Sequence, residues 1–337
     1  MYFKEKWCRT AGKDPLFGHV NGFQIDPNFL HLSLHFWVDM VMLGTIPCRI
    51  AISISAIRGV YFRYTTEVDI CAIMKETALK KVAIVQELIV QKLAEIESNE
   101  NIKILHAVES GSRAWGFPSP DSDYDVRFIY VRNPEFYLKL EKTRDVIELP
   151  INDMLDINGW DLNKTLRLLH SSNPTLFEWM SSPVVYRQTE FIDQLRPIMD
   201  DYFSCKSGLY HYLSMAEGNY RDYLKGDMVR AKKYFYVLRP ILACKWILRT
   251  RTKPPMLFSE LADAELDKAL TPAVDRLLDL KMNAPEIKEI PRVDEINAYL
   301  DRTIGELKAK IAVFPAEHHA DWAPLNELFL KTISSHF

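Results

Sequence analysis

The chain has 337 residues, a length typical of two domains or of one domain with an appendage, and its net charge is −3. Because 48% of the residues are hydrophobic and 26% charged, it can bury a sizeable core. Its five cysteines form no C-x-x-C pair and no metal-ligand spacing, which favours free thiols in a reducing cytosol. The apolar stretch at 38–57 is broken by charged residues and a proline, which excludes a membrane span, and no secretory signal is apparent, so we expect a cytoplasmic protein.

The first 73 residues read differently from the rest of the chain. Loose alternation at 31–38 and 49–56 favours short strands. We interpret residues 1–73 as an unassigned N-terminal extension that need not be native, because Met74 offers a natural start.

The next elements form a helix–strand–turn–strand series. Apolar residues at helical spacing predict a helix over 77–98, and an apolar run predicts a strand over 102–108 that leads into a Gly-Ser turn. A second strand is predicted over 125–131, a short helix over 134–140, and a hairpin from 146–149 and 154–157.

The segment between the two strands carries the strongest chemical signal. Gly111-Ser112 is followed, after ten intervening residues, by Asp123-Tyr124-Asp125 at the start of an apolar run. Residues two apart on a strand share a face, so Asp123 and Asp125 can place both carboxylates at one spot. Two like charges held that close favour a bound cation, and Mg²⁺ suits carboxylates and phosphates. Gly111 permits a tight turn, and Ser112 with the turn amides can hold phosphate oxygens.

Several neighbours of this motif have two interpretations each. Arg113 either contacts a phosphate or pairs with Asp121 or Glu109, and Arg127, on the face of Asp125, either pairs with the carboxylates or helps to hold a triphosphate. Trp115 and Phe117 either stack on a base or anchor the loop.

Beyond residue 160 the pattern is almost entirely helical. Asp161 is predicted to cap a helix, another helix follows Asn173-Pro174, and Glu178 and Trp179 are interpreted as structural. Longer helices are predicted over 191–202, 208–224, 229–249, 272–280 and 293–313. No P-loop and no G-x-G-x-x-G motif is present, so neither a P-loop nor a dinucleotide fold is indicated.

One segment of this helical region is strongly basic. Residues 221–253 contain ten Lys/Arg and two Asp, a net charge of +8, which leaves −11 for the rest of the chain. Lys232, Tyr236 and Arg239 lie at i, i+4 and i+7 on one helical stripe, with Lys233 on an adjacent stripe. Two cations around an aromatic ring suit a triphosphate and a base or ribose; the alternative is a solvated helix face.

The Gly-Ser…Asp-x-Asp spacing resembles the signature of the DNA polymerase β-type nucleotidyltransferase superfamily. The fuller string around Trp115 and Tyr124 is similar to a group of bacterial and phage predicted nucleotidyltransferases, from about Met74 to the C-terminus. Segments 156–162, 173–179 and 232–240 also look like this group. The resemblance implies an α/β (α+β) polymerase β-like palm with a mixed sheet at 74–160, followed by a mainly helical domain at 161–337.

The chemistry that the resemblance implies is Mg²⁺-dependent nucleotidyl transfer, with two ions and with Mn²⁺ as an alternative. Three carboxylates usually serve the metals in the superfamily. Asp123 and Asp125 match the first two, and the third is Asp156, flanked by apolar residues, with Glu148 as its rival. Gly111, Ser112, Arg113, Arg127, Lys232, Lys233, Tyr236 and Arg239 are the candidate nucleotide-binding residues.

The leading interpretation is therefore an enzyme that transfers a nucleoside monophosphate from a nucleoside triphosphate to an RNA end, a protein hydroxyl or a small molecule. The basic segment is too short for the extended surface that a duplex requires, which argues against a processive polymerase. The alternatives are a non-catalytic nucleotide-binding or antitoxin-like module on the same scaffold, and a hydrolase that uses water as the acceptor.

Overall fold

The computed structural model describes residues 49–52, 66–150, 154–283, 289–315, 317 and 321–335. The chain divides into two compact units, Met1–Ala83 and Ile84–Phe337. In the first unit, strands β1 (Arg49–Ile52) and β2 (Thr66–Asp69) pair antiparallel. A strand is thus confirmed within 49–56, whereas the stretch 31–38 lies outside the described residues. The domain boundaries expected after residues 73 and 160 stay predictions.

The remaining helices and strands follow in chain order: α1 (Ile70–Glu100), β3 (Lys103–Glu109), α2 (Gly111–Ala114), β4 (Tyr124–Val131), α3 (Pro134–Tyr137), β5 (Val146–Glu148), β6 (Leu155–Asp161), α4 (Leu162–His170), α5 (Pro174–Met180), β7 (Val185–Gln188), α6 (Glu190–Met199), α7 (Cys205–Tyr223), β8 (Met228–Arg230), α8 (Ala231–Thr250), α9 (Phe258–Glu265), α10 (Thr271–Asn283), β9 (Glu289–Pro291), α11 (Asp294–Ala312) and α12 (Ala323–Ser335). A short 3-10 helix, Asp200–Tyr202, follows α6.

A five-stranded mixed sheet lies at the centre of the second unit. Its strand order is β5-β6-β4-β3-β7, with β4 and β6 parallel and the other neighbours antiparallel. The predicted mixed sheet is therefore confirmed, and so is the predicted hairpin, since β5 and β6 pair antiparallel. The edge strand β7 was not predicted from the sequence.

The two faces of the sheet bury different side chains because neighbours along a strand point in opposite directions. Val85, Ile89, Leu93 and Ile96, at helical spacing on α1, join a core with Val126 and the other even-numbered residues of β4. The odd-numbered residues face the other way. Ile129 and Val131 pack there in a second core with side chains of α4, α5 and α6, which leaves Asp125 and Arg127 at one end of that face.

The helices after the sheet form a third core, as the sequence predicted for this mainly helical region. α7, α8, α9, α10 and α11 contribute most of its buried side chains. Asp161 caps α4 as predicted, accepting a hydrogen bond from the backbone N–H of Asn163 at 2.7 Å. Within the part of the chain that the structure describes, no helix combines the length and the apolarity needed to cross a membrane.

Candidate active site

The Gly-Ser turn brings the backbone into contact with an acidic side chain. β3 ends at Glu109, and Gly111 follows with a φ of +61°, a left-handed conformation that glycine adopts at little cost. A Cβ atom at Gly111 would lie only 2.0 Å from Oδ2 of Asp125. The carboxylate of Asp125 therefore rests against the turn at a distance that only glycine allows.

Two of the predicted carboxylates are direct neighbours across the parallel strands. Asp125 on β4 is the register partner of Asp156 on β6. Arg127 joins them: its Nη2 donates to Oδ2 of Asp156 at 2.7 Å and to Oδ1 of Asp125 at 3.1 Å. Both aspartate side chains are about one-third exposed, at 30% each. The structure thus places a paired acidic site at the end of the sheet, with a guanidinium between its members.

Asp123 is placed differently from Asp125. It precedes β4, which begins at Tyr124, and it is exposed. Burial alternates from Ser122 through Asp125, with Ser122 and Tyr124 buried, so the shared face expected for Asp123 and Asp125 stays a prediction. Among the residues that the structure describes, no three His, Cys, Asp or Glu side chains are grouped closely enough to hold a metal ion.

The rival third carboxylate, Glu148, belongs to the exposed edge of the sheet. It lies on β5 opposite Asn158, whose Nδ2 donates to it at 3.2 Å, and it pairs with Arg144 at 2.8 Å. Asp156, rather than Glu148, is the register neighbour of Asp125.

Arg113 and Ser112 hold the loop that carries Asp123. The guanidinium of Arg113 donates to the backbone carbonyls of Asp123 at 3.0 Å and Ser122 at 2.6 Å, and it lies 3.7 Å from the ring centroid of Tyr124. The buried hydroxyl of Ser112 bonds that of Ser122 at 3.2 Å. Of the partners considered for Arg113, neither Asp121 nor Glu109 accepts these hydrogen bonds, which go to the backbone instead.

Glu109 is a site residue that the sequence suggested only as a partner for Arg113. It is fully buried, accepts a hydrogen bond from the backbone N–H of Asp125 at 2.9 Å, and accepts another from the hydroxyl of Tyr186 on β7. Burial raises the pKa of Glu109 to about 7, against these hydrogen bonds, which lower it. The only sequence signal was a carboxylate at the end of a mostly apolar strand, since β7 was not predicted.

The basic helix α8 presents its predicted residues unequally. Lys232, Lys233 and Tyr236 are half-buried, whereas Arg239 is 1% exposed. Nη1 of Arg239 lies 2.6 Å from Oε1 of Glu178 in an ion pair on the inner side of the helix. Arg239 therefore does not make the triphosphate contact expected of it. Lys232 and Arg239 share one stripe of α8, but the end of the stripe that carries Arg239 is buried. The structural interpretation of Glu178 agrees with this ion pair.

The loop after the Gly-Ser turn is fixed to α8 by aromatic rings. Phe117 is buried, and its ring centroid lies 5.0 Å from that of Phe235. Trp115 is half-buried and meets Tyr236 edge-on at 5.5 Å, while the guanidinium of Arg239 lies 4.7 Å from the Trp115 ring. Phe117 is therefore a loop anchor, and Trp115 connects the turn to the half-buried side of α8.

Comparison with known proteins identifies the family of this chain. The model of a family described as the RNA repair pathway DNA polymerase beta family matches residues 85–331. The chain is 46% identical over 247 residues to the uncharacterized protein YcgL of Bacillus subtilis (strain 168), an alignment that covers 73% of this chain and 95% of YcgL. A solved structure of a nucleotidyltransferase-like protein from Exiguobacterium sibiricum is 11% identical to this chain, with a TM-score of 0.25 over 72% of this chain and 79% of the solved one.

Proposed function

Because the chain belongs to the RNA repair pathway DNA polymerase beta family, we propose that it transfers a nucleoside monophosphate from a nucleoside triphosphate to an RNA end. The observation that carries the proposal is the pairing of Asp125 with Asp156 across two parallel strands, beside a turn that only glycine can form. The family description favours an RNA end over a protein hydroxyl or a small molecule as the acceptor.

The donor atoms at this site suit a divalent cation. Asp125 and Asp156 provide paired carboxylate oxygens, the ligand type that Mg²⁺ prefers. Asp123 directly precedes β4, the strand of Asp125. Arg127 offsets the repulsion between the pair, which supports the view that this spot attracts positive charge. When bound, one or two Mg²⁺ ions would activate the attacking oxygen and neutralise charge on the phosphates.

The chain's own residues would position the reactants. In the reaction, the acceptor hydroxyl attacks the α-phosphorus and pyrophosphate leaves. Gly111 and Ser112 form the turn beside the acidic pair, where backbone amides can contact phosphate oxygens. Lys232 and Tyr236 lie on the stripe of α8 that meets Trp115, so we assign the triphosphate charge to Lys232 and the base or ribose to Tyr236. Arg127 can exchange a carboxylate for a phosphate oxygen.

The decisive experiment is label transfer. The full chain is incubated with each α-labelled nucleoside triphosphate, Mg²⁺ or Mn²⁺, and RNA oligonucleotides with defined ends. We expect label on RNA with the wild-type chain and with Glu148→Gln, and none with Asp125→Asn or Asp156→Asn. Loss of transfer in Glu148→Gln with retention in Asp156→Asn would reverse the choice of third carboxylate. Label on the protein or on a small molecule instead of on RNA would identify that molecule as the acceptor.

One observation favours a second candidate, a non-catalytic nucleotide-binding module on the same scaffold. Arg127 bonds both carboxylates at once, so it takes the place between them that a cation would occupy. Such a module would bind a nucleoside triphosphate equally well in EDTA and in Mg²⁺ and would transfer no label to any acceptor. Equilibrium dialysis under both conditions separates the two functions.

A further inference from the structure

Both backbone groups of Asp125 are bound by the residues at which β3 ends. In a regular antiparallel ladder, two residues that face each other exchange two bonds between backbone N–H and carbonyl groups. Here the N–H of Ser110 donates to the carbonyl of Asp125 at 2.8 Å. The N–H of Asp125 donates to a side chain, Oε1 of Glu109, at 2.9 Å. Where the chain leaves the strand for the Gly111 turn, a carboxylate thus takes the part of a ladder carbonyl.

Glu109 is held in turn by the part of the chain that leads into β7. Its backbone N–H donates to the carbonyl of Val184 at 2.9 Å, and its backbone carbonyl accepts from Oγ of Ser182 at 2.6 Å. Its second carboxylate oxygen accepts from the hydroxyl of Tyr186. With the bond to Asp125, every polar group of Glu109 has a partner, and no part of the residue is exposed. Its effect on a reaction in the site must therefore pass through Asp125.

The position of the Asp125 carboxylate depends on this backbone contact. Its Oδ1 accepts from Arg127 at 3.1 Å, and a Cβ atom at Gly111 would lie 2.0 Å from its Oδ2, so both oxygens have close neighbours. Without the Glu109 carboxylate, the N–H of Asp125 would lose this acceptor, and a backbone shift toward another acceptor would move the Asp125 side chain as well. A displacement of about 1 Å at a reacting group typically costs about 100-fold in rate.

We infer that Glu109 is a positioning residue for the proposed transfer: its buried carboxylate holds the backbone of Asp125, so that the Asp125 side chain stays beside Asp156. The inference rests on the proposed function. What the position requires is an acceptor of the right shape, and glutamine supplies one. The amide oxygen of glutamine can accept from the N–H of Asp125, and its amide N–H can donate to the hydroxyl oxygen of Tyr186.

The test compares steady-state transfer of label to RNA by full-length variants, with each rate expressed per folded molecule. Glu109→Leu has a similar size but no acceptor. We expect its kcat to fall about 100-fold with little change in the KM for the nucleoside triphosphate, because the triphosphate contact assigned to α8 stays in place. Glu109→Gln should keep kcat within about tenfold of the wild type, since a neutral hydrogen bond replaces a charged one. Tyr186→Phe, which removes one donor from the carboxylate, should lie between these two variants.

A matched control lies at the other end of the sheet. Asp161 is 2% exposed, and it accepts from the backbone N–H of Asn163 at 2.7 Å and from the hydroxyl of Tyr137 at 3.0 Å. It is the last residue of β6, about 16 Å along the strand from Asp156. Asp161→Leu removes the same kind of buried acceptor as Glu109→Leu does. It should lower the stability measured by urea unfolding in the same way, but it should keep the wild-type kcat.

A wild-type kcat in Glu109→Leu overturns the inference and leaves the proposed function standing. An equal fall of kcat in Glu109→Gln or in Asp161→Leu overturns it as well, because either result points to lost charge or to general destabilisation. If Glu109→Leu does not fold, Tyr186→Phe carries the test with Tyr137→Phe as its control, and equal kcat values in these two variants overturn the inference. If the wild-type chain transfers no label to any acceptor, the proposed function fails and the inference fails with it.

Discussion

Replacing Gly111 by alanine tests the contact on which the candidate site depends. The φ of +61° at this residue costs an L-amino acid roughly 1–2 kcal/mol. The new Cβ would also lie 2.0 Å from Oδ2 and 2.9 Å from Cγ of Asp125, so the carboxylate must move by about 1 Å or more to restore normal contact distances. We expect Gly111→Ala to lose about 1–3 kcal/mol of unfolding free energy. We also expect transfer to fall by about 100-fold, the typical effect of misplacing a reacting group by 1 Å.

The assay pairs urea unfolding with label transfer on the full chain, and Gly218→Ala serves as the control. Gly218 lies inside α7, and a Cβ there would have no heavy atom within 4 Å. Alanine is the better helix former by roughly 0.5–1 kcal/mol, so this variant should be as stable as the wild type or more stable, with full activity. If Gly111→Ala instead matches the wild type in both measurements, Asp125 is not held against the turn and the geometry of the site is wrong.

Three further changes probe the surroundings of the site. Arg239→Ala removes the cation beside the Glu178 carboxylate, to which, among the described residues, only the hydroxyl of Tyr212 then still donates, and should lose about 3–5 kcal/mol in urea unfolding, whereas loss of an exposed ion pair would cost under about 1 kcal/mol. Gly159→Ala puts a Cβ 2.2 Å from the buried ring of Phe128 and should cost about 1–3 kcal/mol by overpacking; an unchanged midpoint would contradict this contact. Burial lowers the pKa of His106 to about 4 from 6.5, so between these values only the unfolded state binds the proton and stability falls as the pH falls. We therefore expect the free energy of unfolding of His106→Gln, relative to that of the wild type, to rise by about 2–3 kcal/mol when the pH is lowered from 7 to 4.5. Urea unfolding of both chains at both pH values measures this difference, and a fall on acidification would refute the assignment.

The regular elements near the site could be predicted because their signals are local. The helical spacing of the apolar residues from Val85 to Ile96 specifies which face of α1 is buried. The apolar run of β4 likewise specifies a buried strand, and the two pack in one core. Asp161 could be predicted as a cap from its position before an apolar pattern. β7 could not be predicted, because none of its four residues at the edge of the sheet is fully buried and their burial shows no alternation.

The site was less accessible to sequence reasoning because it depends on contacts between distant segments. The spacing of Lys232 and Arg239 shows that they share a stripe, but Glu178, which is 61 residues before Arg239, decides that this end of the stripe is buried. Glu109 is similar: its partner Tyr186 lies 77 residues later, on the strand that local patterns missed. The roles proposed for Asp123, Asp125 and Asp156 stay predictions until transfer is measured.

The in-register pairing of β4 with β6 also constrains how this chain can change over evolution. The connection between these strands is exposed at 138–142, so added or deleted residues there would leave the acidic pair intact. A single-residue slip of β6 would instead set Leu155 or Ile157 beside Asp125 and turn the carboxylate of Asp156 into the core beneath α1. Length variation among related chains should therefore collect at 138–142 and be absent from 155–161.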